Sequence, residues 1–187
     1  MGKLRRLRYS LGMVLRKGEK KRAYCERHHL FALYGNKVVF QPHVLPLYSE
    51  LIRLHDNVIV GRNVEFVTHD MLHRVFNLSP DLPSGYKERV GCVEVMENCF
   101  IGNGAIILHG VRIAQNCIIA AGSVVTKSTE PGGVYAGVPA RRIGDYFETA
   151  EKRLQLEQEG AIATVAKNQS LTPEEIERAW RLFDGAQ

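Results

Sequence analysis

Residues 66–76 read Phe-Val-Thr-His-Asp-Met-Leu-His-Arg-Val-Phe, placing His69 and His73 four apart with Asp70 beside the first. Three kinds of chemistry suit such a group. Neutral imidazoles hold a metal such as zinc. An imidazole, titrating at about pH 6.5 when unperturbed, serves as a general base near neutrality. A His or Asp at a turn also hydrogen-bonds local backbone and does nothing more. The choice among the three depends on the elements that carry these residues.

Those elements are repeats of six. From Val95 the chain divides into VMENCF, IGNGAI, ILHGVR, IAQNCI, IAAGSV and VTKSTE. The first position is Val95, Ile101, Ile107, Ile113, Ile119 and Val125. The fifth is nearly always small: Cys99, Ala105, Val111, Cys117, Ser123 and Thr129. The fourth is Asn98, Gly104, Gly110, Asn116 and Gly122. Asn and Gly tolerate positive φ, so each unit predicts a short strand followed by a turn. A unit this short buries nothing alone and must stack on copies of itself. Three units per coil predict a triangular prism with coils ~4.8 Å apart, the parallel-strand spacing. LHDNVI from Leu54, VGRNVE from Val60 and FVTHDM from Phe66 share the register. His69 therefore falls on a corner where the two preceding units have Asn57 and Asn63. The pattern then stops, and residues 71–92, with Pro80, Pro83 and Gly85, are read as a loop thrown out of the coil. It resumes near Val93–Val95. Long loops on rigid scaffolds often carry function.

These hexads resemble the hexapeptide-repeat acyltransferases. The stretch AAGSVVTKSTEPGGVYAGVPARRIG, residues 120–144, is similar to the closing motif of their acetyl-CoA-dependent branch. The resemblance covers residues 35–145. It implies an all-β core, a left-handed parallel β-helix, although general crossover rules favour right-handed coils. It also implies a base: members of this branch carry a histidine where a loop leaves the coil, and His69 matches that position. The acceptor oxygen would attack the acetyl carbon directly, without an acyl-enzyme. Cys99 and Cys117 are conceivable nucleophiles, but their place at the small fifth position points to packing.

Other positions carry over in the same way. The backbone of Asn103 and Ala121 corresponds to the groove holding the thioester arm of acetyl-CoA. Thr126 and Lys127 match the step near the CoA end, Arg141 matches the basic residue after AGVPA, and Arg142 matches more loosely. Lys and Arg charge suits the phosphates of CoA. Asp70 and His73 are candidates to hold the acceptor, with ordinary turn chemistry as the alternative. Glu50, 19 residues before His69 and thus about one coil away, is a candidate to orient the imidazole. His109 also falls in a turn and receives no role. The resemblance implies a homotrimer with active sites shared between chains, and a small-molecule or glycan acceptor.

The function expected is transfer of an acetyl group from acetyl-CoA to a sugar hydroxyl, in cell-surface polysaccharide biosynthesis, with no metal required. Two readings within the class stay open: N-acylation of an amino sugar nucleotide, and O-acetylation of an antibiotic or other xenobiotic. A zinc hydratase resembling the γ-class carbonic anhydrases would need a third histidine. A non-catalytic scaffold would need neither His69 nor the tail motif.

The expected organisation is a basic, partly helical segment over 1–34, the repeat domain over 35–145 with its loop at 70–92, and a helical segment over 146–187. In the last, Thr172-Pro173-Glu174-Glu175 reads as a capping box with Pro at the first helical position. Ile176, Trp180 and Phe183 follow as an apolar stripe, and Tyr146 to Gln158 also reads as helix. These helices are expected to cover a prism face or bridge subunits.

The chain has 187 residues, 45% of them hydrophobic, enough for one core. Apolar runs such as Leu11–Leu15 are too short to span a bilayer or form a signal core. Four cysteines (Cys25, Cys92, Cys99, Cys117) make no C-x-x-C pair, which fits reduced thiols. A cytoplasmic protein is expected. Residues 1–22 hold nine Lys or Arg and one Glu, a charge of +8 within a chain total of +5, so the rest carries −3. The surplus is thus terminal, and no nucleic-acid surface is expected. Leu4, Leu7, Leu11 and Val14 fall at helical spacing in it. Such a helix either lies on an anionic membrane at the inner face or packs on its own domain or a neighbouring subunit. Packing is the preferred reading.

Overall fold

In the computed structural model, which describes residues 3–165 and 170–185, each hexad forms a strand of two or three residues and a corner. The strands are β1 (Leu33–Tyr34), β2 (Val39–Phe40), β3 (Ile52–Leu54), β4 (Ile59–Val60), β5 (Glu65–Val67), β6 (Val93–Val95), β7 (Phe100–Ile101), β8 (Ile106–Leu108), β9 (Arg112–Ile113), β10 (Ile118–Ile119) and β11 (Val124–Val125). A terminal hairpin adds β12 (Gly133–Gly137) and β13 (Ala140–Asp145). They build three sheets, β1-β3-β6-β9, β2-β4-β7-β10-β12-β13 and β5-β8-β11. From β3 to β11 the chain visits them in strict rotation. Every pairing is parallel except that of β12 with β13. This is a three-sided parallel coil.

The repeat positions explain the coil. First-position side chains point inward: Leu54, Val60, Val95, Ile101, Ile107, Ile113 and Ile119 are fully buried, and Phe66 and Val125 nearly so. Each such side chain contributes ~1.5–3 kcal/mol when buried. The corners need φ > 0, and Asn57, Asn63, Asn98, Gly104, Gly110, Asn116 and Gly122 all have it. Along one edge the asparagines form a ladder: Asn57 Nδ2 donates to Asn98 Oδ1 at 2.9 Å, and Asn98 Nδ2 to Asn116 Oδ1 at 3.1 Å. Cys99 and Cys117 are sealed inside and donate to backbone carbonyls, Cys99 to Ala114 and Cys117 to Glu130. Hydrogen bonding with Cys117 and burial push the Cys99 thiol well up. Both are packing residues, as their repeat position implies.

The N-terminal end of the coil is closed by α1 (Lys3–Val14) and α2 (Gly18–Arg27). Met13 and Cys25 join the core there, beside Phe31, Tyr34 and Phe40. The face of α1 that packs is the small and polar one, with Ser10, Gly12 and Met13 buried. The predicted apolar stripe faces outward instead, Leu4 being 83% and Leu7 68% exposed. Packing of α1 on its own domain thus holds, but through the opposite face.

The chain divides into two compact units, Met1–Tyr146 and Phe147–Gln187. Helix α4 (Tyr146–Gln158) starts at the last residue of the first unit and otherwise lies in the second, which also carries α5 (Pro173–Gly185). The capping box is formed: Glu175 N donates to Thr172 Oγ1 at 3.2 Å, and Thr172 N to Glu175 Oε2 at 2.9 Å.

Candidate active site

The coil opens after β5. Across the break the register jumps: Val67 pairs with Leu108, 41 residues on, where undisturbed coils such as Ile106 and Val124 are 18 apart. The excursion is pinned at its base. Gly91 N donates to Thr68 O at 2.8 Å and Asp70 N to Arg89 O at 3.0 Å. His69 forms an antiparallel bridge with Val90. His69 is therefore no positive-φ corner like its asparagine counterparts, because the chain runs straight on into the excursion. Inside that excursion lies a helix, α3 (Leu72–Leu78), which the absence of repeats did not reveal.

Beneath His69 sits Tyr48, their rings edge-to-face with centroids 5.4 Å apart. Thr68, fully buried, donates through Oγ1 to Leu47 O. That bond fixes the layer below at an offset of 21 residues, and the pairing of Val39 with Ile59 sets it at 20 nearby. With such offsets Tyr48, not Glu50, lies under His69. Glu50 follows a left-handed backbone position at Tyr48 and lines a separate cavity with Arg5, Tyr9 and His28. The structure does not bring Glu50 to His69.

His69 lines a cavity of about 520 Å³ with Arg6, His43, Val44, Leu47 and Glu65, among others. Its Nδ1 is buried and lacks a hydrogen-bond partner among the described residues, as does Nδ1 of His73 on α3. His55 differs, its Nε2 meeting Glu94 Oε1 at 3.0 Å. Asp70 Oδ1 accepts from Leu72 N at 3.1 Å, which is turn chemistry at the start of α3. Its Oδ2 lies 4.0 Å from Nε2 of His109. Continuing the β5–β8 register stacks His109 on Thr68, one coil above the opening. Tyr48, Arg6, His43 and His109 are thus site neighbours that the hexad pattern did not single out. Only His109 left a signal, its place one coil from the break. Tyr48 carries a second tie: its hydroxyl lies 3.3 Å from both carboxylate oxygens of Glu88 on the returning limb. The charge of Glu88 pushes the Tyr48 phenol up.

The positions matched to CoA fall into two groups, on the two borders of the β5-β8-β11 sheet. Asn103 and Ala121 occupy one edge in adjacent coils, joined by the bond from Gly122 N to Asn103 O at 2.9 Å. Gly102 lets the coils close there: a Cβ on it would stand 2.5 Å from Ala121 N. Arg141 reaches the same edge by pairing opposite Ala136. It has no carboxylate partner among the described residues, whereas Arg142 meets Asp145 at 3.2 Å and Glu130 at 3.7 Å. Arg141 Nη1 donates to Ala140 O at 3.0 Å. Thr126 and Lys127, both exposed, lie on the other edge. Since Val125 pairs with Ile107, Lys127 stacks one coil beyond His109, on the edge that carries His69.

Among the described residues, no group of three or more His, Cys, Asp or Glu stands together to hold a metal. No helix among them is long and apolar enough to cross a membrane.

Residues 92–127 match the family described as bacterial transferase hexapeptide (six repeats). A galactoside O-acetyltransferase of Lactococcus lactis subsp. lactis is 34% identical over 109 residues, 54% of this chain and 53% of that one. A 2,3,4,5-tetrahydropyridine-2,6-dicarboxylate N-acetyltransferase of Staphylococcus aureus is 36% identical over 64 residues, 34% of this chain and 27% of that one. The chain thus spans about half the length of the first relative and less of the second. The fold is shared with a hexapeptide-repeat-containing acetyltransferase of Vibrio cholerae O1 biovar eltor, solved in complex with acetyl coenzyme A. That likeness has a TM-score of 0.51 at 21% identity over 74% of this chain and 84% of that one.

Proposed function

Starting from a chain that carries the repeats of the bacterial hexapeptide transferases, we propose that it moves an acetyl group from acetyl-CoA to a sugar hydroxyl, with His69 as general base. The observation that carries this reading is the position of His69. It stands where the coil opens, on the wall of a cavity, beside the base of the excursion. The acceptor hydroxyl gives its proton to the imidazole as its oxygen bonds to the acetyl carbonyl carbon. The carbon–sulfur bond then breaks, and CoA leaves as a thiolate that takes the proton back from the imidazolium. A base so placed typically supplies ~10²–10⁴-fold.

Asn103 and Ala121 offer backbone polar groups to the pantetheine arm along the tight edge made by Gly102. Lys127 and Arg141 supply charge for the phosphates. The left-handed sense of the coil and a homotrimer with sites shared between chains belong to the same reading. In favour of sharing, His69 and the Asn103–Ala121 edge border opposite sides of one sheet, so a neighbour could join them across a threefold axis. A place in the cytoplasm and a role in cell-surface polysaccharide biosynthesis are part of the same proposal. The relative named as an N-acetyltransferase supports a second reading, acylation of an amino group.

The test is release of free CoA from acetyl-CoA against a panel of sugars, nucleotide sugars, amino sugars and antibiotics. Turnover with a hydroxyl acceptor supports the first reading. Turnover with amines alone moves it to the second, and no acceptor-dependent release with any compound overturns both.

A further inference from the structure

We propose that α1 docks this protein on an anionic phospholipid bilayer and thereby holds the His69 cavity beside the lipid surface. The helix is already packed through its inner face. Ser10 Oγ accepts from Leu45 N at 2.9 Å and donates to Arg6 O at 2.9 Å, and Met13 is in the core. What remains outside is a continuous apolar stripe of Leu4, Leu7, Leu11 and Val14, between 83% and 44% exposed. Four exposed leucines or valines on one helix face are costly to leave in water.

The charges around the stripe select the occupant. Helix α1 contains no acidic residue and carries Lys3, Arg5, Arg6 and Arg8, with Arg16 and Lys17 just beyond its end. Residues 1–22 carry +8, so α1 of one copy repels α1 of another. A bilayer rich in anionic headgroups offers both needs at once: an acyl boundary for the stripe and phosphates for the cations, at the depth where an amphipathic helix lies.

The stripe also leads to the site. Leu7, Leu11, Val14 and Val44 line an apolar groove, and Arg6, His43 and Val44 are shared between that groove and the His69 cavity. A docked α1 therefore puts the mouth of the cavity at the headgroup level. Given the transferase reading above, on which this step rests, the acceptor is a hydroxyl presented on a lipid anchor.

The experiment is co-sedimentation of the full chain with vesicles of phosphatidylcholine alone or mixed with phosphatidylglycerol. No acetyl transfer is needed for the readout, so its outcome is separable from failure of the transferase reading. Binding is expected to the mixed vesicles only, at low salt, and to fall away by roughly 0.5 M salt as the charges are screened. Leu7→Ser with Leu11→Ser should weaken it by about ten-fold or more with oligomeric mass and thermal melt unchanged. Lys3→Gln with Arg8→Gln should weaken it and flatten its salt dependence. No sedimentation with mixed vesicles at low salt, or equal binding to phosphatidylcholine alone, overturns the proposal. So does a Leu7→Ser/Leu11→Ser protein that still binds vesicles but loses its oligomeric mass, which would assign the stripe to a second copy.

Discussion

The rings of Tyr48 and His69 pack edge-to-face, centroids 5.4 Å apart with 84° between the planes. Such a pair restrains the direction of an imidazole and is worth ~0.5–1.5 kcal/mol. Through its hydroxyl the same Tyr48 meets Glu88, so one side chain links the coil below, His69 and the returning limb of the excursion. Tyr48→Ala is expected to lower kcat by up to ~10-fold, in proportion to that contact energy. Tyr48→Phe should stay near wild type, because the ring contact survives. Steady-state kinetics with the best acceptor distinguish the two. Equal turnover of Tyr48→Ala and wild type would mean that the ring does not position the base.

For His69 itself, replacement by Ala should leave the fold and CoA affinity intact, since the groove positions lie on later coils. The catalytic rate should fall by ~10²-fold or more. The wild-type rate should rise with pH along a limb that reports the essential base, and that limb should be absent from the mutant. His73→Ala is the control, expected to raise the acceptor KM more than it lowers kcat. Near-normal turnover of His69→Ala would leave the residue as a polar exit from the coil.

The coil was legible because each hexad states the same physics many times over: an inward Ile or Val, a small residue, and an Asn or Gly that accepts φ > 0. The capping box at Thr172 and the helix at Tyr146–Gln158 were legible for the same local reasons. What lay beyond reach were relationships set by chain that does not repeat. The non-repeating chain between β2 and β3 stretches the coil below the site to offsets of 20 and 21, which places Tyr48 rather than Glu50 under His69. The 41-residue jump across the excursion stacks His109 above Thr68, and no local pattern gives the length of such a jump. Apolar residues at helical spacing usually face a core, yet the stripe of α1 faces outward. The small residues mark the inner sides: Ser10 meets Leu45 of the coil segment, and Gly12 sits against the Tyr24 ring of α2.

On the β1-β3-β6-β9 sheet, Glu94 accepts from Arg112 Nε at 2.8 Å, meets His55 Nε2 at 3.0 Å and lies 3.5 Å from Arg53. The hydrogen bond with His55, then that with Arg112, holds its carboxyl below the ordinary 4.5. A carboxylate whose folded-state pKa is depressed stabilises the fold fully above the unfolded value and loses that contribution as pH falls through the folded value. Glu94→Gln is therefore expected to lower Tm at pH 7, with a deficit that shrinks as pH drops below 4.5. Thermal melts of both proteins across that range check it. A deficit independent of pH would mean that side-chain shape, not charge, is what Glu94 contributes.

Two neighbouring glycines separate close approach from backbone conformation. Gly102 has ordinary φ but no room: an added Cβ would meet Ala121 N at 2.5 Å and Ala120 C at 2.8 Å, both backbone atoms of the next coil. Neither can swing aside, so Gly102→Ala must push adjacent coils apart at the edge proposed to hold the pantetheine arm. A loss of ~1–3 kcal/mol is expected, as for other overpacked sites, together with weaker acetyl-CoA binding. Gly104 presents the reverse case, with φ of +68° and nothing within 4 Å of an added Cβ. Gly104→Ala meets only the left-handed backbone penalty, ~1–2 kcal/mol. Gly104→Asn should cost less still, because Asn63, Asn98 and Asn116 hold the same conformation at equivalent corners. The predicted order of Tm is wild type, Gly104→Asn, Gly104→Ala, Gly102→Ala, with acetyl-CoA affinity impaired in the last alone. Were Gly102→Ala to melt with Gly104→Asn and bind acetyl-CoA normally, the coils at that edge would have slack, and the tight groove assigned to the cofactor arm would have to lie elsewhere.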